Sequence, residues 1–585
     1  MTTTTPTAAM KGGAWLLEET PAESVFTPER LTDEHKLIGQ TAAEFITNEV
    51  LPAIERLEQK DWGLARDLLR RAGELGLLAT DVPEEFGGIG ADKTSSIIVA
   101  DRVGRSGSFS AAYGAQTSLC MMPLLMFGTK DQRERYLPRL ASGEIVGAYA
   151  LSESGAGSDA LAAKTRAVRQ PDGSFLLNGE KMWITNGGFA DLVCVFAKVD
   201  GEHFSAFLVE RGFPGVSSGK EEHKLGLHGS STTPILLQDA RVPAENLLGE
   251  IGKGHKVAFN VLNYGRLKLA AGCNGGAKAV VGEAAAYAKQ RRQFGQPIAN
   301  FGAIRHKIGE MVVGAYGVES MLCRTMGLID GALQASGSHE GEALVNAFEE
   351  FAIEASILKV AASEQLHDAL DENVQIHGGN GFVHDYPAER HYRDSRVNRI
   401  FEGTNEINRL LIPGMLIRRA LKGGLPLVQA AKRLQDELLS PAAMEASPAG
   451  SLGDERRAVA AMKKVVLMVL GTAMQKYGEK LTDEQEVLCH AADIVIETFG
   501  AESALLRALQ AGSGLALDAA RVTVSDAAAR VEVSARQALA AMAEGDTLRT
   551  LLAALRRLLK VTPVNTVALR RNLSDAALAR TAYPF

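Results

Sequence analysis

The spacing of apolar residues changes along this chain of 585 residues, and these changes limit its fold more than any other feature. From about residue 34 to 140, apolar residues recur every three or four positions, as in EHKLIGQTAAEFITNEVLPAIERL, which is typical of amphipathic helices. Between residues 145 and 242 the segments are short, rich in β-branched and aromatic residues, and separated by turns such as PDG, which is typical of strands. Helical spacing returns from residue 254. We therefore expect helical, β and helical parts in that order.

The same changes of pattern, together with composition, predict six segments. A length near four times the ~150 residues of a typical domain leaves room for several domains. We expect a flexible N-terminal arm, a helical domain, a small β domain, a second helical domain, a linker rich in Pro, Ser, Ala and Gly, and a last helical domain. Their bounds are 1–30, 31–144, 145–252, 253–430, 431–457 and 458–585.

Composition argues against several classes of protein. The net charge is −7 and no stretch is basic enough for a nucleic-acid-binding protein. The most apolar run, near residues 465–470, is shorter than the ~18–20 residues that a membrane-spanning helix needs. Because the N-terminus has no apolar leader and the cysteines form no CxxC pair, we expect a cytoplasmic chain with reduced thiols and no metal site. The cysteines are Cys120, Cys194, Cys273, Cys323 and Cys489.

The segment AYALSESGAGSD at 148–159 is the first candidate for ligand binding. Its GAGSDA resembles the GxGxxA signature of dinucleotide-binding folds, but a strand-like TRAVRQ follows it where that signature needs a helix. We therefore reject that fold here. The segment is either an ordinary glycine turn, or one that offers backbone N–H groups and the hydroxyls of Ser152 and Ser158 to a ring or a phosphate.

Two further segments suit a flat ligand. In KMWIT, Trp183 and Thr185 are either a core aromatic with a surface hydroxyl, or a flat wall with a hydrogen-bond donor for an isoalloxazine ring. In QIHGGNGF, the adjacent Gly378 and Gly379 follow a helical run. They are either the cap of that helix or a place where the backbone approaches a ligand closely.

Glu402 is the main candidate for acid–base chemistry. It stands between Phe401 and Gly403 in RIFEGTNEI, and a carboxylate with such neighbours is poorly solvated if it faces a pocket. Poor solvation raises the pKa of a carboxyl group towards that of a useful general base. Most glutamates are solvated surface charges, so this interpretation depends on the segments that accompany Glu402.

Together, AYALSESGAGSDA, RVPAENLLGEIGKG, QIHGGNGF and FEGTNEI resemble the signature segments of the acyl-CoA dehydrogenase family of flavoenzymes. The resemblance covers about residues 34–423, and the last domain resembles the extension of the very-long-chain branch. It implies a mainly α fold with a central β-barrel-like domain. In such a fold an N-terminal helical domain, the β domain and a four-helix catalytic domain enclose FAD and an acyl thioester. The extra C-terminal α-helical domain follows.

The resemblance also implies site residues. One set contacts the flavin within the subunit, and another reaches the FAD of a neighbouring subunit, which implies a homodimer with FAD bound across its interface. The first set is Tyr149, Leu151, Ser152, Ser158, Trp183, Thr185, Thr404 and Glu406, and the second is Arg291, Gln293, Phe294, Gln375, Gly378 and Gly379. The implied contacts with the acyl-CoA substrate are Ser158, Arg266 and Gly403.

Glu402 matches the catalytic base of the family. Some relatives carry their base in the segment that corresponds to 263–266, but Gly265 stands there and has no acidic group. In the implied reaction, Glu402 removes the α-proton of an acyl-CoA while the β-hydrogen passes as hydride to N5 of FAD, which leaves a trans-2-enoyl-CoA. Electrons then pass to an electron-transfer flavoprotein. An acyl-CoA oxidase and a non-catalytic scaffold or assembly protein on the same fold are the alternatives.

Two features bear on substrate length and location. Ala111 and Ala115 lie near the helix that closes the acyl tunnel in relatives. Such small residues favour a deep tunnel for long or very long chains, although ordinary helix packing also uses them. The stretch 407–435 holds six basic residues and no acidic one. It is either a peripheral contact with the inner face of a membrane, or the seam between the catalytic core and the last domain.

Overall fold

The N-terminal domain is an assembly of helices, and capping residues fix where several of them begin. The computed structural model describes residues 10–439, 448 and 450–585. Thr32 and Thr129 each accept a hydrogen bond from a backbone N–H of the first helical turn, which would otherwise lack a partner. The helices are α1 Asp33–Phe45, α2 Ile54–Glu58, α3 Trp62–Glu74, α4 Lys93–Val103, α5 Gly107–Gly114, α6 Met122–Phe127 and α7 Lys130–Ala141. A π-helical stretch, Ala115–Met121, joins α5 to α6.

The middle domain is a mainly antiparallel sheet. Its strands are β1 Gly147–Ala150, β2 Arg166–Arg169, β3 Phe175–Thr185, β4 Leu192–Val199, β5 His203–Glu210, β6 Val216–Ser218, β7 Thr232–Val242 and β8 Leu247–Leu248. The order is β6-β7-β3-β2-β4-β5-β8, and β1 pairs in parallel with β4. The Met182 N–H donates to the Ser152 carbonyl at 2.9 Å, so the glycine turn after β1 lies against the end of β3.

Long helices form the catalytic domain. The main ones are α8 Gly254–Gln290, α9 Gly302–Ser336, α11 Ala352–His377 and α13 Asn405–Leu421, with α10 Glu342–Glu350 and α12 Ala388–Ser395 between them. A hairpin of β9 Arg292–Gln293 and β10 Gln296–Pro297 follows α8. Helices α8 and α11 run in the same direction, because Gly276 lies against Leu366 and Tyr287 against His377. The predicted order of helical, β and helical parts is confirmed.

The last domain is helical, as predicted. Its helices are α15 Gly453–Tyr477, α16 Gln485–Ala511, α17 Gly514–Met542, α18 Gly545–Leu558 and α19 Thr566–Arg580. By length and composition alone, Gly453–Asp483 is apolar enough to cross a membrane, but 56% of its most apolar window is buried inside the fold. Val465, Val469 and Leu470 have no exposed surface. This burial is typical of a helix in a protein core.

The N-terminal segment differs from the flexible arm predicted over 1–30. Residues 10–30 bind across the catalytic and C-terminal domains, while residues 1–9 lie outside the described part of the chain. Trp15 is buried and donates from Nε1 to Oε1 of Glu354 in α11 at 3.1 Å. Its ring packs on Phe499 of α16, with ring centroids 4.8 Å apart. The prediction was wrong for this segment because it ignored the gain in burying a tryptophan and its apolar neighbours.

The linker predicted over 431–457 is helical at both ends. Helix α14, Leu427–Leu439, and the first turn of α15 account for residues 431–439 and 453–457. Most of the remaining residues lie outside the described part of the chain. The apolar residues in LVQAAKRLQDELL follow a helical period. The predicted start of the linker, residue 431, was too early because the Pro- and Ser-rich stretch begins only after this helix.

The basic stretch 407–435 begins on α13, at the seam between the catalytic and C-terminal domains. Arg409 pairs with Glu364 of α11 and with Asp493 of α16, both at 2.7 Å. Carboxylates distant in sequence therefore compensate part of the positive charge of this stretch. For α13, these contacts support the seam rather than the membrane interpretation.

Candidate active site

Glu402 stands on the loop between α12 and α13, in a backbone conformation that side chains rarely adopt. Its φ is +58°, and Gly403 follows with a φ of +79°. Arg266 of α8 donates from Nε to the Glu402 carbonyl at 3.1 Å. Thr404 caps α13 by accepting from a backbone N–H of its first turn at 3.2 Å, and Glu406 in that turn is exposed. These contacts on both sides hold the loop in its strained turn.

Gly265 of α8 leaves the space that the Glu402 carboxylate fills. A β-carbon built on Gly265 would lie 2.8 Å from Oε2 of Glu402, closer than non-bonded atoms approach. Gly265 and Glu402 therefore face each other across one small volume. Among the described residues, the carboxylate beside Gly265 is that of Glu402.

The surroundings of Glu402 change its acidity. Burial raises the pKa of Glu402 to about 7, although the nearby cations of Arg266 and Lys359 act to lower it. Oε2 is buried and has no hydrogen-bond partner among the described residues. Burial also lowers the pKa of Arg266 to about 10 and the pKa of Lys359 to about 8. A carboxyl group that titrates near neutral pH can both accept and release a proton during a reaction.

Lys359 is a site residue that the sequence analysis missed. Its Nζ donates to Oδ1 of Asn405 at 2.6 Å, and Asn405 is the first residue of α13, close after the Glu402 loop. Lys359 lies inside the regular helix α11, so neither spacing nor turn signals distinguish it from a surface lysine. Its place in the site depends on how α11 packs against α13.

An apolar cavity of about 170 Å³ leads from Glu402 between α4, α5, α8 and α11. Along α8 its lining extends from Gly265, beside Glu402, to Val280. Small residues form much of its wall: Ala100, Gly104, Gly107, Ala111, Gly114, Ala115, Gly272, Gly276 and Ala279. Both alanines that the sequence analysis named for the acyl tunnel are among them.

A buried ion pair anchors the glycine turn after β1. Glu153 accepts from Lys181 Nζ at 2.8 Å, and from the backbone N–H groups of Lys164 and Thr165 at 2.6 and 3.0 Å. The sequence analysis did not identify this pair, because Lys181 lies in a strand and its burial depends on a partner across the turn. The rest of the turn is open, since a β-carbon on Gly155 would meet no atom within 4 Å. A ligand can therefore approach this backbone closely.

The flavin residues predicted in the β domain gather around this turn. Trp183 is 56% exposed, and Thr185, at the end of β3, lines the same cavity as Glu402. Tyr149 of β1 has a buried hydroxyl with no hydrogen-bond partner among the described residues. In and before the turn, Leu151 is buried, Ser152 is half-buried and Ser158 is exposed. An exposed aromatic face, an unsatisfied hydroxyl and an open glycine backbone fit the isoalloxazine and phosphate parts of FAD.

The second predicted cofactor set lies at the far ends of α8 and α11. Tyr287 joins its two segments, because its ring stacks on His377 at 4.0 Å and its hydroxyl accepts from Asn380 at 3.0 Å. All members of the set are exposed: Arg291, Gln293, Phe294, Gln375, Gly378 and Gly379. At about 1.5 Å per residue, Tyr287 is roughly 33 Å along α8 from Gly265. One chain therefore does not bring this set to its own Glu402.

Models of known protein families match four parts of the chain. Residues 32–144 match the acyl-CoA dehydrogenase N-terminal domain, 148–240 the middle domain and 252–416 the C-terminal domain. A further model, also described as an acyl-CoA dehydrogenase C-terminal domain, matches residues 461–557. The first three correspond to the helical, β and helical parts described above, and the fourth falls in the last helical domain.

Similar proteins extend over the whole chain. A probable acyl-CoA dehydrogenase of Bacillus subtilis is 48% identical over 584 residues, which cover 98% of both chains. A crystal structure of an acyl-CoA dehydrogenase complexed with FAD from Bacillus anthracis is 47% identical. Its TM-score is 0.96, over 98% of this chain and 100% of the other. A mitochondrial very long-chain specific acyl-CoA dehydrogenase of Macaca fascicularis is 38% identical over 414 residues, 67% of this chain and 61% of the relative.

Proposed function

The chain belongs to the acyl-CoA dehydrogenase family and is an FAD-dependent enzyme, and on that basis we propose that it oxidises long- or very-long-chain acyl-CoA to trans-2-enoyl-CoA. Glu402 is the base in this proposal. The observation that carries it is one shielded carboxylate at the Gly265 end of a long apolar cavity. The carboxylate can face the α-carbon of an acyl thioester whose chain extends along that cavity.

In this proposal Glu402 transfers the proton, and Arg266 and Lys359 adjust its pKa. The Glu402 carboxylate takes the α-proton, and a pKa of about 7 leaves a large part of it ionised at neutral pH. The cations of Arg266 and Lys359 limit how far burial raises that pKa, so the base remains usable. Burial of Oε2 keeps water from competing for the carboxylate. When bound, FAD supplies the acceptor for the hydride that leaves the β-carbon.

The length of the cavity supports long acyl chains. Its lining on α8 extends from Gly265 to Val280, a distance of roughly 22 Å at about 1.5 Å per residue. Given C–C bonds of about 1.5 Å, an extended chain advances about 1.25 Å per methylene, so roughly 17 carbons span this length. Each buried methylene stabilises binding by about 0.8 kcal/mol, which makes a chain that fills the cavity the best-bound substrate.

The separation of the two cofactor sets supports a homodimer. We expect the isoalloxazine ring beside Trp183, Thr185 and Tyr149 of one copy. The exposed set around Phe294 and Gly378 lies too far along α8 to reach the same ring within that copy. In the dimer that we propose, this set completes the FAD site of the other copy, and the symmetry of the pair makes both sites alike.

An anaerobic visible spectrum of the FAD-loaded protein, before and after addition of hexadecanoyl-CoA, tests the function. The oxidised flavin band should bleach in the wild type and persist in Glu402→Gln. Glu479→Gln makes the same change at an exposed position of the C-terminal domain and should bleach like the wild type. A wild-type flavin that stays oxidised with acyl-CoAs of every chain length would overturn the proposal.

The electron acceptor is tested on the same sample. We propose an electron-transfer flavoprotein as the acceptor, in keeping with a dehydrogenase rather than an oxidase. The reduced enzyme should reoxidise when the flavoprotein is added and should remain reduced for much longer when only air is admitted. Equally rapid reoxidation by air alone would instead identify an acyl-CoA oxidase.

A further inference from the structure

A buried cluster of charged residues lies beside the acyl cavity and has no part in the reaction described above. Asp81 accepts from Lys93 Nζ at 2.8 Å, and Lys268 Nζ lies 3.2 Å from its other carboxylate oxygen. None of the three side chains is more than 4% exposed. Within the described ranges, no second carboxylate pairs with either ammonium group. Two lysines therefore share one acidic partner, and the ionised cluster carries a net positive charge.

The carboxylate of Asp81 already has other donors. Besides the first lysine, Ser96 donates to it at 2.6 Å and the Tyr264 hydroxyl at 2.7 Å. Lys268 is the member held least closely, since its Nζ is 3.2 Å from Asp81 and 3.3 Å from Oγ1 of Thr117. An ammonium group has three N–H donors, so at least one has no oxygen acceptor in contact within the described part of the molecule. The ammonium also lies over the rings of Tyr113 and Tyr264, whose centroids are 5.2 and 5.5 Å from Nζ, and these ring faces compensate part of its charge. A ligand oxygen is a stronger acceptor for the remaining N–H than a ring face is.

Lys268 faces the path of the substrate. It lines the same cavity as Glu402 and follows Gly265 by three positions on α8, which places both on one face of the helix. Ser118 of the π-helical stretch lines this cavity too, and its buried Oγ has no hydrogen-bond partner among the described residues. Its neighbour Thr117 is the residue that Lys268 contacts. Lys268 and Ser118 thus both line the mainly apolar wall of this cavity, each with hydrogen-bonding capacity that the fold leaves unused.

We propose that Lys268 and Ser118 form a polar subsite in the acyl tunnel that binds an acceptor oxygen on the acyl chain, beyond the reacting carbons. The ligand class is an acyl-CoA whose chain carries a keto or hydroxyl oxygen. This inference rests on the proposed function, because it names the kind of acyl group that the same site accepts best.

The place of Lys268 on α8 determines where on the chain this oxygen should be. Three residues of helix advance by about 4.5 Å, which corresponds to roughly three or four methylenes beyond the carbon that faces Glu402. The favoured oxygen is therefore at about the sixth carbon of the chain. An unsubstituted chain passes the subsite without offering an acceptor to the remaining N–H of Lys268 or a partner to the Ser118 hydroxyl, so it binds more weakly.

Calorimetry on the FAD-loaded Glu402→Gln protein tests the subsite without turnover. We expect 6-oxohexadecanoyl-CoA to bind at least tenfold more tightly than hexadecanoyl-CoA. A tenfold change in affinity corresponds to about 1.4 kcal/mol of binding free energy. 12-Oxohexadecanoyl-CoA, whose oxygen lies deeper in the tunnel, should have no such advantage. Equal binding of the 6-oxo and unsubstituted compounds, or binding of neither, would overturn the subsite. Turnover of hexadecanoyl-CoA by the wild type tests the proposed function separately, so the two failures are distinguishable.

Two lysine variants separate a direct contact from a general effect of charge. Lys268→Met keeps the side chain's length and leaves Asp81 in a neutral pair with Lys93. In this variant the preference for the 6-oxo compound over the unsubstituted one should fall to twofold or less. Lys93→Met is the matched control, because it removes the same charge but leaves the ammonium in the tunnel wall, so the preference should persist. Ser118→Ala, which removes only a hydroxyl, should lower the preference partly. A preference kept in Lys268→Met, or lost equally in both lysine variants, would contradict the subsite.

Discussion

At the scale of single residues, the raised pKa of Glu402 suits its proposed role as a base but lowers the stability of the fold. Its pKa is about 7 in the folded protein, against 4.5 for an unperturbed glutamate. A carboxyl group with a raised folded-state pKa destabilises the fold when it ionises; this penalty is absent below about pH 4.5 and complete above about pH 7. Glu402→Gln should therefore be more stable than the wild type above pH 7, by up to roughly 3 kcal/mol. Denaturant unfolding should show a small difference in the free energy of unfolding between Glu402→Gln and the wild type at pH 5, and a large difference at pH 8.

The pH dependence of the reaction follows from the same group. In the proposed reaction Glu402 acts as base when ionised, so the rate of flavin reduction should rise with pH and level off above about pH 7. Lys359→Met removes a cation that lowers the pKa of Glu402, so the inflection should move to higher pH. Lys256→Met, at an exposed position in the first turn of α8, is the matched control and should leave the inflection in place. An unchanged profile in Lys359→Met would show that this lysine does not act on the base.

Which site residues could be predicted from sequence depends on where their partners lie. Glu402 was predictable because Phe401 and Gly403 mark it as a poorly solvated acid and because the segments around it resemble those of a known family. Gly265 was identified through that resemblance alone. Lys359 and Lys268 stand inside regular helices, where a lysine normally faces water. The partner of Lys268 is Asp81, far away in sequence, and only the packing of the domains brings the two together.

At the scale of secondary structure elements, the proposed function makes α8 the helix that sets the depth of the acyl tunnel. Gly272 lines the cavity seven residues beyond Gly265, roughly 10 Å along the helix. A β-carbon there would meet Oγ of Ser110 at 3.4 Å, an ordinary contact, so a larger side chain would project into the tunnel. Gly272→Leu should lower kcat/KM for hexadecanoyl-CoA at least tenfold and leave that for octanoyl-CoA near the wild-type value.

A matched glycine variant controls for the effect of leucine on a long helix. Gly331 of α9 is exposed, and a β-carbon there would meet no atom within 4 Å, so Gly331→Leu should leave both rates unchanged. If Gly272→Leu slowed both substrates equally, the tunnel would not follow α8.

At the scale of the whole molecule, the N-terminal segment ties the catalytic domain to the C-terminal domain. Trp15→Ala removes the hydrogen bond to Glu354 and the packing on Phe499, and should destabilise that connection by about 3–5 kcal/mol. Calorimetry should show an unfolding transition at a lower temperature than in the wild type, and hydrogen exchange should show faster opening of α16. Leu421→Ala truncates a side chain that is 73% exposed and should change neither measurement. Helical periodicity could not predict this connection, because a short segment's burial depends on surfaces far away in sequence.

Mixed dimers test whether FAD is bound across two copies. Glu402→Gln lacks the base, and Phe294→Ala alters the exposed hairpin, so each variant alone should be inactive or nearly so. A dimer with one copy of each has one site with both an intact base and an intact partner hairpin. Random mixing should therefore restore about a quarter of the wild-type activity. No recovery in a mixture that size exclusion and mass spectrometry show to contain mixed dimers would argue for a site within one chain.

The shared space between Gly265 and Glu402 also constrains how such an enzyme can evolve. An acid introduced at Gly265 while Glu402 remains would collide with the carboxylate already there. Loss of Glu402 while Gly265 remains would leave the proposed reaction without a base. A lineage that moves its base from the Glu402 loop to α8, or back, must therefore pass through an ancestor with two colliding acids or one with no base, unless both codons change together. The position of the base should therefore change rarely during evolution. We expect it to distinguish early-diverging branches of the family better than the side chains that line the tunnel do.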